Sequence, residues 1–150
     1  PRMLAQGGEA HVVNTASIFG LMPARGVYDV SKHAVVALSE ALRSDLETRT
    51  ERVSVSVLCP GLVRTALASA ERNRGAAFGE RREPGLFASL ALAKGSAASE
   101  VAEAAFEAVE QRRFWVLTHP ELGEQVRQRT EQMLGGEASA VRVRRRRREV

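Results

Sequence analysis

Tyr28 and Lys32 lie four residues apart, and Ser17 precedes the tyrosine by eleven residues. Side chains at positions i and i+4 share one face of a helix, so the lysine ammonium can stand beside the tyrosine ring. A nearby positive charge favours the phenolate over the neutral phenol, and such a tyrosine can exchange a proton with an alcohol or carbonyl oxygen. A serine hydroxyl can hold the same oxygen by a hydrogen bond. These three residues therefore predict proton transfer at one substrate oxygen.

The segments around these residues alternate between strand and helix patterns. Residues 10–16 and 52–58 are short runs with β-branched residues, and Cys59-Pro60-Gly61 ends the second run. Residues 27–47 between them predict a helix. Its expected apolar stripe consists of Val30, Ala34, Val35, Leu38, Ala41, Leu42 and Leu46. A strand, a long helix and a second strand form a βαβ unit, which requires a parallel sheet with a right-handed crossover.

The second half of the chain continues the alternation. Residues 62–94 predict short helices joined by loops, either as a lid over a site or as a plain surface excursion. Ser96 is the predicted N-cap of the next helix. Its expected apolar face consists of Val101, Ala105, Phe106, Ala108 and Val109. Residues 114–118 predict a strand and residues 120–134 a final amphipathic helix. The order β-α-β-lid-α-β-α is an α/β layered architecture.

The composition places few limits on function. The 150 residues are 44% hydrophobic and 27% charged, as in ordinary globular domains. No apolar run reaches the length of a membrane span, so we expect no membrane partner. Cys59 is the one cysteine, which excludes an internal disulfide and favours a cytoplasmic location. The three histidines have no metal-ligand spacing with one another or with Cys59, so we expect no metal.

The basic character of the chain is concentrated near its end. The net charge is +4, and six arginines lie between residues 142 and 148. A basic run can bind nucleic acid or anionic lipid. No aromatic side chains interleave with these arginines to stack on bases, so nucleic acid is an unlikely partner. We expect residues 135–150 to be a solvated, disordered tail.

Three motifs in order resemble the short-chain dehydrogenase/reductase family, in its C-terminal half. Val13-Asn14-Thr-Ala-Ser17-x-x-Gly20 is similar to the serine-bearing strand end of that family. Tyr28-Asp-Val-Ser31-Lys32 is similar to its Tyr-x-x-x-Lys element, and Pro60-Gly61-Leu-Val63-Arg-Thr65 to its Pro-Gly-x-Val-x-Thr turn. The resemblance covers residues 1–134. It implies part of a Rossmann-like doubly wound parallel sheet, with the lid at residues 62–94.

The resemblance also implies a role for each matching position. Ser17, Tyr28 and Lys32 would be catalytic, with Tyr28 as general acid/base. Tyr28 and Lys32 would also contact the cofactor, NAD or NADP, and Lys32 would bind its nicotinamide ribose. The turn residues that would line the nicotinamide pocket are Pro60, Gly61, Val63 and Thr65. The substrate would be a small alcohol or carbonyl compound. The full-length form would be a homo-oligomer.

One element of the family is missing from the sequence. No Gly-x-x-x-Gly-x-Gly turn follows a strand, and the chain opens on Pro1 rather than methionine. We therefore expect a truncated chain that is poorly active or inactive alone. Asn14 lies on the serine strand, where a structural role is expected.

Three functions remain open from the sequence. The first is an oxidoreductase of this family, and the second is a non-catalytic relic that dimerises through the helix at residues 27–47 and its neighbour. The third is a nucleic-acid-associated protein that uses the arginine tail.

Overall fold

The computed structural model describes residues 1–22, 26–66, 89–90 and 93–136. The helices and strands within these ranges, in chain order, are α1 (Arg2–Gln6), β1 (Ala10–Thr15), α2 (Val27–Glu47), β2 (Val53–Cys59), α3 (Ala98–Glu110), β3 (Trp115–Leu117) and α4 (Gly123–Leu134). Short 3-10 turns at Ile18–Gly20 and Pro120–Leu122 precede α2 and α4. Most of the predicted lid and of the basic tail lies outside the described residues.

The described strands form one parallel sheet in the order β1-β2-β3. Ala10 pairs with Val53 at the start of β1, and Thr15 pairs with Leu58 at its end. Cys59, the last residue of β2, pairs with Leu117, the last residue of β3. The carboxyl ends of all three strands therefore meet at one edge of the sheet.

Helices cover both faces of this sheet, as β2 shows by its alternation. Its odd-numbered residues, from Val53 to Cys59, pack with Val36 and Leu46 of α2. Leu58 points the other way and packs with Val101 and Ala108 of α3. The predicted α/β class is confirmed.

The apolar stripe predicted for α2 belongs to two faces of the helix, so that prediction was partly wrong. Val35, Leu42 and Leu46 pack toward the sheet together with Val36. Leu38, by contrast, is 64% exposed. Successive residues of a helix are turned by 100° about its axis, and four other apolar residues of α2 lie with Leu38 inside a sector of about 80°. This exposed apolar face consists of Val27, Val30, Ala34, Leu38 and Ala41.

Two expectations for α3 were also wrong. Phe106 is 73% exposed and not part of the buried face. The N-cap is Ala97 rather than Ser96, and the Glu100 carboxylate accepts a hydrogen bond from the Ala97 N–H at 3.2 Å. Ser96, the residue before this N-cap, pairs through its backbone with the chain around Val63 in an isolated parallel bridge.

Gly20 allows the 3-10 turn to lie directly on the backbone of α2. A Cβ atom added at Gly20 would stand 2.7 Å from the Lys32 carbonyl oxygen and 3.0 Å from Cγ2 of Val36. Backbone atoms of a helix cannot move aside as a flexible side chain can. The glycine therefore fixes how closely the segment after Ser17 approaches the helix that carries Lys32.

We predict that Gly20→Ala lowers the free energy of unfolding by about 1–3 kcal/mol, the usual cost of overpacking. The matched control is Gly123→Ala, where the backbone is helical (φ −59°, ψ −35°) and an added Cβ meets nothing within 4 Å. The control should raise stability by about 0.4–1 kcal/mol. Urea unfolding followed by circular dichroism measures both. Equal stability of the two variants would show that Gly20 is not closely packed.

Cys59 ends the buried strand β2 and is 1% exposed. Burial raises the pKa of the Cys59 thiol from 9.0 to about 11, against a smaller opposing effect of the Ser17 backbone. Between these pH values the unfolded chain releases the thiol proton while the folded chain retains it. The folded state is therefore increasingly disfavoured as the pH rises through this window.

We predict that the free energy of unfolding falls more steeply with pH in the wild type than in Cys59→Ala between pH 9 and 11. The difference in slope should be at most about 1.4 kcal/mol per pH unit, the value for one proton. Urea unfolding at a series of pH values measures it, and subtracting the variant cancels all other titrating groups. Parallel curves would mean that the thiol ionises as readily in the folded state as in the unfolded state.

Candidate active site

The segments that follow the three strands converge at the carboxyl edge of the sheet. Ser17 comes shortly after β1, Pro60 directly after β2, and His119 shortly after β3. Ligands in open α/β sheets bind at this edge. The parallel pairing continues past the strands, because Ala16 N–H donates to Leu58 O at 2.8 Å and Ile18 N–H donates to Pro60 O at 2.8 Å.

Ser17 is buried at the turn between β1 and the 3-10 segment. Its hydroxyl oxygen accepts a hydrogen bond from the Phe19 N–H at 3.2 Å and so caps that turn. The hydroxyl donates to the Pro60 carbonyl at 3.4 Å, which is a long hydrogen bond. Ser17 is therefore oriented toward the turn that follows β2. Because its hydrogen bond to the Pro60 carbonyl is long, little is lost when the hydroxyl donates to another acceptor instead.

Lys32 stands between the tyrosine and the end of β1. Its Nζ donates to the carbonyl oxygen of Thr15 at 3.0 Å. The same Nζ lies 5.7 Å from the centroid of the Tyr28 ring, in the range of a cation–π contact. Tyr28 itself is 47% exposed. One ammonium is therefore fixed beside a phenol that solvent and small molecules can reach.

Asn14 holds α2 against β1. Its side-chain amide donates to the Ser39 hydroxyl at 3.0 Å, and that hydroxyl donates to the Val35 carbonyl at 2.7 Å. The buried Ser39 hydroxyl thereby both accepts and donates a hydrogen bond. The contact agrees with the structural role expected for Asn14, and it fixes the helix from which Lys32 reaches Thr15.

The turn after β2 presents backbone groups rather than side chains. Ser96 N–H donates to Leu62 O at 2.9 Å, and Arg64 N–H donates to Ser96 O at 3.0 Å. These two bonds use the residues on either side of Val63, so the N–H and C=O of Val63 itself point away from Ser96. Within the described residues that N–H and C=O have no hydrogen-bond partner. Thr65 is exposed, two residues further along.

His119 is part of this site, and the sequence analysis did not identify it. Its Nδ1 accepts a hydrogen bond from the Gly61 N–H at 3.0 Å. The signal that could have found it is its position directly after the third strand, at the same edge as Ser17 and Pro60.

Two kinds of feature are absent from the part of the chain that the structure describes. No group of three or more His, Cys, Asp or Glu side chains is arranged to hold a metal ion. None of the described helices has the length and apolar character needed to cross a bilayer.

The predicted site residues therefore fall into two connected groups. Tyr28 and Lys32 stand together beside the end of β1, while Ser17 connects that end to Pro60. Gly61, Val63 and Thr65 continue the turn away from Pro60. An arrangement of this kind can exchange a proton at Tyr28 and can offer a hydroxyl, an ammonium and an open backbone amide to a bound molecule.

Several known proteins with similar sequences are named as dehydrogenases. Residues 1–75 match the family model described as short chain dehydrogenase. The CLA biosynthesis dehydrogenase/reductase of Lactiplantibacillus plantarum is 31% identical over 95% of this chain and 54% of its own length. The 1-deoxy-11-beta-hydroxypentalenate dehydrogenase of Streptomyces exfoliatus is 45% identical over 45% of this chain and 24% of its own. The chain thus spans about half the length of the first relative, and its matched part spans about a quarter of the second.

Solved structures agree with these matches. A short-chain dehydrogenase/reductase from Burkholderia phymatum, in complex with NAD, is 40% identical with a TM-score of 0.79, over 90% of this chain and 52% of that one. A short-chain dehydrogenase from Sphingobium yanoikuyae, in complex with NADPH, shares the fold at 20% identity and a TM-score of 0.58, over 99% of this chain and 53% of that one. From the matched family model and the parallel sheet with its helices, the chain belongs to the short-chain dehydrogenase/reductase family.

Proposed function

We propose that this chain carries the catalytic and nicotinamide-binding part of an oxidoreductase that interconverts a small alcohol and its carbonyl compound with NAD or NADP. The observation that carries the proposal is the position of the Lys32 ammonium. It is fixed by the Thr15 carbonyl and stands 5.7 Å from the Tyr28 ring centroid, at the sheet edge where Ser17 lies. The names of the relatives and the NAD-bound Burkholderia phymatum structure support the same reaction class.

The groups at this edge fit a nicotinamide nucleotide. The Lys32 ammonium has three N–H donors and gives one to Thr15, so two remain for ribose hydroxyls. The outward N–H and C=O of Val63 complement the carbonyl and amine of a carboxamide. Pro60 and Gly61 would line the pocket, and Thr65 would contact the carboxamide beside Val63. A bound nicotinamide would accept or supply the hydride.

The residues of the chain handle the proton. In the oxidation direction, the Tyr28 phenolate takes the hydroxyl proton of the alcohol as its carbon loses a hydride, and in reduction Tyr28 returns that proton to the carbonyl oxygen. Lys32 would place its positive charge beside Tyr28 during this transfer. Ser17 would turn its hydroxyl from the long bond with Pro60 to the substrate oxygen and hold it near Tyr28.

The phosphate end of the cofactor has no matching motif here. The 150 residues contain no Gly-x-x-x-Gly-x-Gly turn, and such glycine-rich turns place the pyrophosphate at a helix N-terminus. We therefore propose that the chain by itself binds the cofactor mainly through its nicotinamide half. Turnover by these residues alone would be slow.

We predict that Tyr28→Phe and Lys32→Met separate proton transfer from cofactor binding. Tyr28→Phe removes the phenolic oxygen, so turnover with alcohols should fall by about 10²–10⁴-fold, while the Kd for NADH and NADPH should rise less than it does in Lys32→Met. Lys32→Met removes the ribose donors and should raise the Kd about tenfold or more, the effect of a lost hydrogen bond to a charged group. Calorimetric titration and an absorbance assay of nicotinamide reduction measure the two effects.

Arg49→Met is the control for the loss of a positive charge, because Arg49 is exposed and lies between α2 and β2, away from the carboxyl edge of the sheet. It should leave both readouts unchanged. Undiminished turnover in Tyr28→Phe, or cofactor affinity that is unaffected in Lys32→Met, would contradict the proposal. Circular dichroism confirms that each variant is folded.

A second proposal concerns assembly, because the exposed apolar face of α2 favours self-association. Val27, Val30 and Leu38 are the large side chains of that face, and each is mostly exposed in the isolated chain. Contiguous exposed apolar surface of this kind marks interaction sites. We propose that two copies of the chain pair along α2, which agrees with the homo-oligomer expected from the sequence. Pairing would occur with or without catalysis.

We predict that Leu38→Lys converts a dimer into a monomer, because a charge would be buried against the facing helix. Glu40→Lys places a lysine on α2 at an exposed position about 80° around the helix from the apolar face, and should leave the dimer intact. Sedimentation velocity measures the mass of each. A wild-type monomer, or dissociation by both variants alike, would be evidence against pairing through this face.

A further inference from the structure

His119 makes contacts to two segments that are far apart in sequence. Its Nδ1 accepts the Gly61 N–H at 3.0 Å, and the Thr118 hydroxyl also lies 2.9 Å from Nδ1. Its Nε2 lies 3.2 Å from the Ser96 hydroxyl oxygen. A backbone N–H can only donate, so Nδ1 must carry a lone pair. The neutral ring therefore has its proton on Nε2 and donates it to Ser96.

The ring also lies flat against the turn at Gly61. A Cβ atom added there would stand 2.7 Å from Cγ of His119 and 2.9 Å from both Cδ2 and Nδ1. Contact this close is possible only because residue 61 is glycine. The imidazole therefore restrains the turn by packing as well as by hydrogen bonding.

The two nitrogen atoms of the imidazole contact the two residues that flank or pair with Val63, namely Gly61 and Ser96. Gly61, held by Nδ1, lies two residues before Val63. Ser96, held by Nε2, pairs through its backbone with Leu62 O and Arg64 N–H, the groups on either side of Val63. When Gly61 and Ser96 are both held in place, the N–H and C=O of Val63 point away from Ser96.

We propose that His119 is a positioning residue for nicotinamide binding. It holds the turn from Pro60 to Arg64 so that the N–H and C=O of Val63 face the carboxamide of the cofactor. The inference rests on the proposed function, since it assigns a purpose to a site that binds NAD or NADP. The contact with Gly61 is the essential one, and the contact with Ser96 supports it.

Two substitutions of His119 by amide residues test the contacts of Nδ1 and Nε2 separately. In His119→Asn, the side-chain oxygen can take the place of Nδ1 and accept the Gly61 N–H. In His119→Gln, the longer side chain can reach Ser96 and leaves the place of Nδ1 empty. Thr118→Val is the control, because it removes a neighbouring hydroxyl and keeps the bond between His119 and Gly61.

The experiment uses the 150-residue chain labelled with ¹⁵N, and it has two readouts. Hydrogen exchange of the Gly61 and Arg64 amides, which are bonded to His119 and to Ser96, reports whether the turn is held. Calorimetric titration with NADH and NADPH reports cofactor affinity. We expect His119→Gln to lose protection at Gly61 and to raise the Kd about tenfold, the size of one lost hydrogen bond. His119→Asn and Thr118→Val should remain within about threefold of the wild type.

Several outcomes would overturn the inference. Loss of affinity in proportion to loss of global stability, equally in Asn and Gln variants, would show a merely structural histidine. Full Gly61 protection in His119→Gln would show that the turn does not need His119. If the wild type binds neither NADH nor NADPH, the proposed function fails together with the nicotinamide role. The exchange of the Gly61 and Arg64 amides then decides independently whether His119 holds the turn.

Discussion

The parallel pairing of β1, β2 and β3 is the constraint on which the rest of the site depends. It ends the three strands at one edge, so the residues that follow them meet although they are far apart in sequence. The pairing continues beyond the strands through hydrogen bonds from Ala16 and Ile18 to the segment of Pro60. Ser17, which lies between those two residues, therefore has little freedom of its own. Its long bond to the Pro60 carbonyl follows from this ladder rather than from any preference of the side chain.

A second constraint sets the position of α2 on the sheet. The backbone contact at Gly20 and the bond between Asn14 and Ser39 fix the helix from two directions. As a result, the flexible side chain of Lys32 ends at a defined acceptor, the Thr15 carbonyl. A lysine in open solution would lose considerable rotamer entropy on reaching such a position. Here the short distance between α2 and β1 restricts the rotamers of Lys32, so its charge stands beside Tyr28 before any ligand binds.

Neutral polar groups complete the site around the Pro60–Arg64 turn. A backbone N–H at Gly61 and a hydroxyl at Ser96 are satisfied by one imidazole, and the Val63 peptide is left facing outward. Buried Cys59, immediately before the turn, retains its proton because burial disfavours the thiolate, so it adds no competing charge. The Lys32 ammonium lies beside the Tyr28 ring, and recognition at the Pro60–Arg64 turn would rest on hydrogen bonds.

The amino-acid sequence by itself determined the α/β class, the α2 helix at residues 27–47 and the order of the three motifs, because periodicity and local turn residues are sufficient for these features. Strand limits were correct to within two residues for the same reason. The tertiary structure decided which face of α2 is buried, since apolar residues occupy two faces and only the packing against β2 selects one of them. It also decided the position of Ser96, which lies before the N-cap of α3 and forms a backbone bridge with Val63. The role of His119 depends on contacts across 58 and 23 residues of sequence, and no local pattern encodes such contacts.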